Sequence, residues 1–350
     1  MTKTTSTSRT LRARTRAVRG GLERSQHGET SEALYLTSGF AYPDAGSAER
    51  RFKNEEPGYI YSRFSNPTVA AFEQRLTLLE DAPEGVECRA TATGLAAVSS
   101  AFLGTLSAGD HVLSSRALFG GCRYIVEELL PRLGIASTLI DGADIKTWEA
   151  AIRPNTKAFF LETPSNPALE IFDVRAIADL AHAHGAMLVI DNVFASPIFQ
   201  KPFALGADIV VYSATKHMDG QGRVLGGAIL ARKEVFDDKL GVYLRNTGPS
   251  LSPFNAWVLL KGLETMKLRV EAQSHAAHRV AEVLSAMKGV SRVVYPHLDS
   301  HPQAALSRKQ MKLGGTMVTF EVEGGKKKAF DVLRNLGIVD ISNNLGDAKS

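Results

Sequence analysis

One lysine stands where lysine is seldom tolerated. In "VYSATKHMDGQG" (211–222), Lys216 follows the apolar run "GADIVVYS" and leads into glycine-rich sequence. Such β-branched runs read as buried strands, and an amine at the end of one has a task. It can attack a carbonyl and form a Schiff base with an aldehyde cofactor. Pyridoxal phosphate is such a cofactor, and its other demands can be sought along the chain. Its ring nitrogen needs a carboxylate, because a protonated ring draws electrons better. Asp191, twenty-five residues before Lys216 at the end of "AMLVID", fits one strand over. Its phosphate needs amide donors at a helix N-terminus. "ATATGLAAVSSAFLG" supplies Gly94 and Leu95 there, and the Ser213 and Thr215 hydroxyls add donors beside Lys216. Its ring needs a flat face, and Phe119 in "ALFGGC" offers one. Singly, Asp191 reads as a helix cap, Phe119 as a core residue and Thr93-Gly94 as an ordinary helix start. Together, and in order at the ends of successive strands, they describe one site.

The elements that must position these residues are an alternation of strand and helix. "HVLSS" (111–115), "STLID" (137–141), "AFFLE" (158–162), "AMLVID" (186–191) and "DIVVYS" (208–213) read as buried strands. "NPTVAAFEQRLTLLE" has proline at a first helical position and apolar residues at helical spacing. "GGCRYIVEELLPRLG" and "DVRAIADLAHAHG" are helices ending at glycine. This pattern predicts an α/β fold with a largely parallel sheet, in which ligands bind beyond the carboxyl ends of the strands. After Pro253 a long amphipathic run, read as helical and broken at most once, precedes a smaller set: "VSRVVYP", "GTMVTFEVEG" and the helix "KKAFDVLRNLG". A boundary is placed near residues 246–256. The expected division is an arm over 1–60, a large cofactor-binding domain over 61–250 and a smaller domain over 251–350.

The stretches "YIYSRFSNPT" (59–68), "TGLAAV" (93–98), "GDHVLSSRALFGGC" (109–122), "ETPSNP" (162–167), "IDNVFASP" (190–197), "YSATKHMDGQG" (212–222) and "SNNLGDAKS" (342–350) occur in the order found in one family. With them the chain resembles the trans-sulfuration, or Cys/Met-metabolism, family of pyridoxal-phosphate enzymes along almost its whole length. The resemblance implies the type I fold of pyridoxal-phosphate-dependent transferases, as in aspartate aminotransferase. It implies that Lys216 binds the cofactor aldehyde and then moves protons, that Asp191 pairs with the ring nitrogen, and that Asn166 lies near the ring oxygen. It implies phosphate binding by Gly94, Leu95, Ser213 and Thr215, and by Tyr61 and Arg63 of a neighbouring subunit, hence a homodimer or homotetramer with shared sites. The activity implied is γ-replacement at an activated homoserine by a small sulfur nucleophile, in the branch that takes a succinyl ester and sulfide to homocysteine. The alternatives left open are the γ-synthase that uses cysteine, a γ-lyase, and a catalytically impaired fragment.

Two positions depart from the family pattern. Phe119 stands where tyrosine is common, so the ring-stacking face has no hydroxyl to protonate a leaving group, which favours substitution over lyase chemistry. Asn344 stands where the family has serine beside the substrate carboxylate. The resemblance also implies further residues after Ser350, among them an arginine that grips the α-carboxylate as a bidentate fork. The small domain is therefore expected to be incomplete, with Arg123 the nearest basic replacement.

Composition excludes several classes. Hydrophobic residues are 44% and charged residues 22% of 350, ordinary for a globular chain, and no apolar run is long enough for a membrane helix. The net charge of +4 owes much to Lys3, Arg9, Arg12, Arg14, Arg16 and Arg19, with no acid before Glu23. That segment is read as a mobile arm ordering against a partner in preference to a transit peptide. It is too short and too poor in aromatics for nucleic acid. Cys88 and Cys122 are too few for a disulfide scaffold or zinc site and are read as buried fillers in a reducing cytoplasm. His182 and His184, two apart on a helix, face different ways and make a poor metal pair. "HMDGQGRVLGG" precedes a strand, the wrong order for a phosphate-cradling loop.

Overall fold

The computed structural model describes residues 11–349. Its centre is a seven-stranded sheet built from β1 (Val86–Thr91), β2 (His111–Ser115), β3 (Ala136–Ile140), β4 (Thr156–Glu162), β5 (Met187–Asp191), β6 (Ile209–Ser213) and β7 (Gly227–Arg232), in the order β1-β7-β6-β5-β4-β2-β3. All neighbouring pairs from β6 across to β3 are parallel. β7 alone runs the other way, antiparallel to both β1 and β6. The ends of β1, β2, β4, β5 and β6 therefore reach one edge of the sheet, which is where a ligand would sit.

Alternation along the strands divides two cores. Leu161, Leu188, Ile190, Val210 and Tyr212 face one layer, with the helices Pro67–Leu79, Val174–Ala183 and Pro253–Ser285. Phe160, Val189, Val211 and Ile229 face the other, with the helix Gly94–Leu103. Each fully buried Phe, Leu, Ile or Val contributes about 1.5–3 kcal/mol. Phe102 meets Phe160 edge-on at 5.2 Å and 88°, which fixes the helix Gly94–Leu103 over β4.

The helix starts follow from their caps. Asn66 accepts from the Thr68 amide at 2.9 Å before Pro67, Thr93 accepts from Ala96 at 3.0 Å, and Asp173 accepts from Ala176 at 3.1 Å. The helix after Phe119 begins at Gly120 and passes through a π-type turn at Ile125–Leu129. The run after Pro253 forms one unbroken helix, Pro253–Ser285. Gly262 within it is no break point: a Cβ there would strike the Met218 carbonyl. The glycine lets the helix backbone press against the loop that carries Lys216. Beyond it, β8 (Val290–Val294) and β9 (Thr319–Val322) pair antiparallel and the helix Gly325–Arg334 follows.

The basic leader is ordered in part on this chain itself. Lys3 and Arg9 lie outside the described residues, but Ala13–Arg19 forms a helix whose Ala17 is buried against this chain and whose Arg16 pairs with Asp81. Nearby, Arg75 is fully buried and bonds Glu32, which also pairs with Lys261. A desolvated guanidinium with two acidic neighbours, Glu32 and Glu264 at 3.6 Å, ties the early chain to the core. Among the described residues no helix is long and apolar enough to cross a membrane.

Candidate active site

Lys216 lies three residues past the end of β6, in a turn whose geometry is set by backbone bonds. The Asp219 amide donates to the Ala214 carbonyl at 3.0 Å and the Gly220 amide to the Lys216 carbonyl at 2.9 Å. The lysine is half-buried, and burial alone lowers its pKa; no carboxylate or hydrogen-bond partner among the described residues offsets it. An amine in that setting is more readily deprotonated, which is the nucleophilic form.

Asp191 ends β5, in register with Glu162 at the end of β4. Burial raises its pKa to about 7, against which the Val193 amide donates to Oδ1 at 3.1 Å. The Cys122 thiol lies 4.0 Å from Asp191 Oδ2. Glu162 is completely buried, its pKa raised well above the usual carboxylate range by burial and then by Asp191. It accepts from the Phe119 amide at 2.7 Å. Phe119 is itself 48% exposed, its ring presented at the edge of the sheet just before the helix that begins at Gly120. Leu95 packs by it, since a Cβ on Gly121 would meet both Leu95 and Phe119 within 3.0 Å.

The helix start at Gly94 meets the end of β6. A Cβ on Gly94 would come within 2.6 Å of Ser213 Cβ and 2.8 Å of its Cα. Thr93 satisfies the amides of Ala96, through its hydroxyl, and Ala97, through its carbonyl at 3.1 Å. The Gly94 and Leu95 amides have no such partner among the described residues, so they are free to bind an anion. The Ser213 hydroxyl lies at the same place. Thr215 does not stand free: Gly226 donates to its Oγ1 at 3.1 Å, and Oγ1 lies 3.3 Å from the Gly226 carbonyl. Asn166, half-buried, follows β4 in the turn after Glu162.

Tyr61 and Arg63 are not part of this cluster within the chain. Tyr61 pairs with Gly39 and packs on Phe64 at 6.1 Å; Arg63 lies over Phe64 at 4.6 Å and donates to the Arg245 carbonyl. Asn344, by contrast, is brought close. Its Nδ2 would lie 3.4 Å from a Cβ on Gly222 and donates to Asp347 at 2.8 Å, while Ala348 donates to the Gly220 carbonyl at 3.0 Å. The segment after Asn344 thus docks on the loop that follows Lys216. Arg123 fails as a free replacement cation, because both its Nε and Nη2 are taken by Glu127 at 2.6 and 2.9 Å.

Three features escaped the sequence reading. Glu162 sat inside "ETPSNP" as part of a motif, although a carboxylate ending a buried strand beside Asp191 was a usable signal. Cys122 was read as filler and proves to touch Asp191. On the opposite face, Asn192 donates to Tyr212 at 2.6 Å, Tyr212 to Glu80 at 2.5 Å and Gln200 to Asn192 at 2.9 Å. That network braces the residue next to Asp191. His217, buried, lies 2.7 Å from the Thr316 hydroxyl and 3.2 Å from the Val193 carbonyl, and packs the lysine loop against the last third of the chain. His182 pairs with Asp208 at 2.9 Å on the surface.

The residues fit pyridoxal phosphate on the structure's own terms. A cradle closed to any side chain at Gly94 adjoins two amides unpaired among the described residues, and a half-buried amine three residues past β6 lies beyond the strand next to the one that ends in a buried carboxylate. The family model described as Cys/Met metabolism PLP-dependent enzyme matches residues 14–350. An O-succinylhomoserine sulfhydrylase of Mycobacterium tuberculosis is 51% identical over 95% of this chain and 82% of its own length. One of Pseudomonas aeruginosa is 46% identical over 96% and 82%. A crystal structure of a putative O-acetylhomoserine (thiol)-lyase from Campylobacter jejuni, carrying N'-pyridoxyl-lysine-5'-monophosphate, superposes with a TM-score of 0.91 at 30% identity, covering 97% of this chain and 92% of that one. The chain belongs to the Cys/Met-metabolism family of pyridoxal-phosphate-dependent enzymes and has that family's α/β fold.

Proposed function

We propose that the chain catalyses replacement of the succinyl group of O-succinylhomoserine by sulfide, giving homocysteine and succinate. The observation that carries the reading is the pairing of an unpartnered, partly desolvated Lys216 with a buried Asp191 at the ends of adjacent strands. The relatives named O-succinylhomoserine sulfhydrylase at 51% and 46% identity support the choice of ester and thiol.

Pyridoxal phosphate, when bound, supplies an aldehyde for amines and a ring that takes up the electron pair left by proton removal. The rest is the protein's. Lys216, on a turn and not a rigid element, moves a proton first at the α-carbon and then at the β-carbon, which one fixed base could not reach in turn. Asp191 would keep the ring nitrogen protonated. Gly94, Leu95 and Ser213 would grip the phosphate, with Thr215 joining them once its hydroxyl turns from Gly226. Asn166 would serve the ring oxygen. Phe119 would offer the ring its flat face and, lacking a hydroxyl, would leave expulsion of succinate unassisted by an acid at that position. Succinate is already a good leaving group, so a replacement reaction tolerates this better than elimination of a thiol would. Asn344 lies on the substrate side of the Lys216 loop. Tyr61 and Arg63, turned to the exterior of this chain, serve the site of a second copy. The test supplies O-succinylhomoserine or its acetyl analogue with sulfide, cysteine or no thiol. Homocysteine from the succinyl ester and sulfide supports the reading. Cystathionine formed in preference assigns a γ-synthase, and 2-oxobutyrate without thiol assigns a lyase.

A further inference from the structure

Glu162 is a buried acid that the reading above does not use, and three independent observations bear on it. It ends β4 in register with Asp191 on the same face of the sheet. Its Oε2 accepts from the amide of Phe119, the residue whose ring is exposed into the site. Its Oε1 is buried without a partner among the described residues. An acceptor-only carboxylate would leave that oxygen as an unsatisfied buried charge, which costs far more than an unpaired neutral group. A protonated carboxyl resolves this. It keeps one oxygen for the Phe119 amide and leaves the other uncharged, so that the group without a partner is a neutral one.

We propose that Glu162 is a positioning residue that works as a neutral carboxylic acid, forming with Asp191 a pair that carries one negative charge and holding Phe119 in place by its second oxygen. The inference rests on the cofactor reading above for the roles of Asp191 and Phe119. Two carboxyls brought together with no cation do not both ionise, and the one with the closer solvation keeps the charge. The groups facing Glu162 are Asp191 from β5, the Cys122 thiol from the helix after Phe119, and the backbone amides of Phe119 and Asn166; the amides favour the charged form, and burial with Asp191 outweighs them. Ser114 and Ser115 on β2 are uncharged, and Arg123 is occupied by Glu127. Burial and Asp191 both raise the pKa of Glu162, in the direction the geometry demands. The consequence for the site is that Asp191 remains the single counter-charge for a ring nitrogen, and that the stacking face moves if the Glu162 proton is lost.

The experiment is infrared difference spectroscopy at neutral pH of the chain against Glu162→Gln, first without cofactor. A protonated-carboxyl carbonyl band that shifts in deuterium oxide and vanishes in the variant supports the proposal; carboxylate bands alone overturn it. Should Glu162→Gln fold poorly, Asp191→Asn provides the second reading. Removal of that charge must move the pH midpoint of the band downward, and an unmoved midpoint overturns the coupling. Cofactor affinity supplies the positioning readout. Glu162→Ala should bind pyridoxal phosphate at least tenfold more weakly than Glu162→Gln, which keeps an acceptor for the Phe119 amide; equal affinities overturn the link to Phe119. Absence of lysine-bound cofactor in the unmodified chain would instead sink the reading of the site and leave the infrared result standing.

Discussion

Replacing Gly94 by alanine tests whether the helix Gly94–Leu103 and the end of β6 form a cradle with no room to spare. The added Cβ would lie 2.6 Å from Ser213 Cβ and 2.8 Å from its Cα, where ordinary contact starts at 3.4 Å, so something must give by roughly 0.8 Å. One partner is strand backbone and cannot swing aside, so the helix start must move. Two effects oppose each other in stability. Alanine gains up to about 1 kcal/mol of helix preference over glycine, less in a first turn. Overpacking costs about 1–3 kcal/mol. The clash wins, and the variant should be destabilised by about 1–2 kcal/mol in urea unfolding without cofactor. The larger effect is on binding. A shift of that size takes an amide from a good hydrogen bond of about 2.9 Å to beyond useful reach. Losing one bond to a charged phosphate costs about 1.5–3 kcal/mol, so pyridoxal phosphate should bind at least tenfold more weakly. Titration of the cofactor by fluorescence or dialysis measures this. An affinity within twofold of the unmodified chain, with stability intact, would refute the cradle.

Two further outcomes follow from the network behind the site. Tyr212→Phe leaves Glu80 Oε2 and Asn192 Nδ2 without their 2.5 and 2.6 Å partner and should lower unfolding free energy by about 1–3 kcal/mol; an unchanged urea midpoint would remove the network's role. Burial, the main cause, raises the pKa of Glu80 to about 7, so the folded chain binds a proton that the unfolded chain releases at the ordinary carboxylate value of 4.5. Its contribution is complete below that lower value and is lost as pH climbs through the higher one. Relative to Glu80→Gln, the unmodified chain should therefore lose on the order of 3 kcal/mol across that window, and parallel pH–stability curves would contradict this.

Much of the site was legible because it lies where short-range signals are strongest. Apolar runs marked β2, β4, β5 and β6, and their last residues are Ser115, Glu162, Asp191 and Ser213. Proline at a first helical position and the Thr93-Gly94 start marked two helix starts, which the structure places at Pro67 and Gly94. The direction of β7 was not legible: a buried strand reads the same forward and backward, and only the Gly227–Ser213 pairing reveals the reversal. The break allowed for in the long helix does not occur, and the reason for the glycine within it, Gly262, is the Met218 carbonyl from a distant loop. Glu162, Cys122 and the chain from Glu80 to Gln200 gain meaning only from partners far away in sequence, as does the burial of Arg75 against Glu32. Thr215 shows the converse. Its type and place recommended it as a free donor, and the fold has engaged it with Gly226.

The most direct measurement is to bind pyridoxal phosphate to the full chain, reduce with borohydride, digest, and locate the pyridoxyl group by mass spectrometry. The account predicts the label on Lys216, with none on Lys216→Ala and no compensating label elsewhere. A stoichiometric adduct on another lysine, or a visible lysine-linked cofactor that survives in Lys216→Ala, would contradict it.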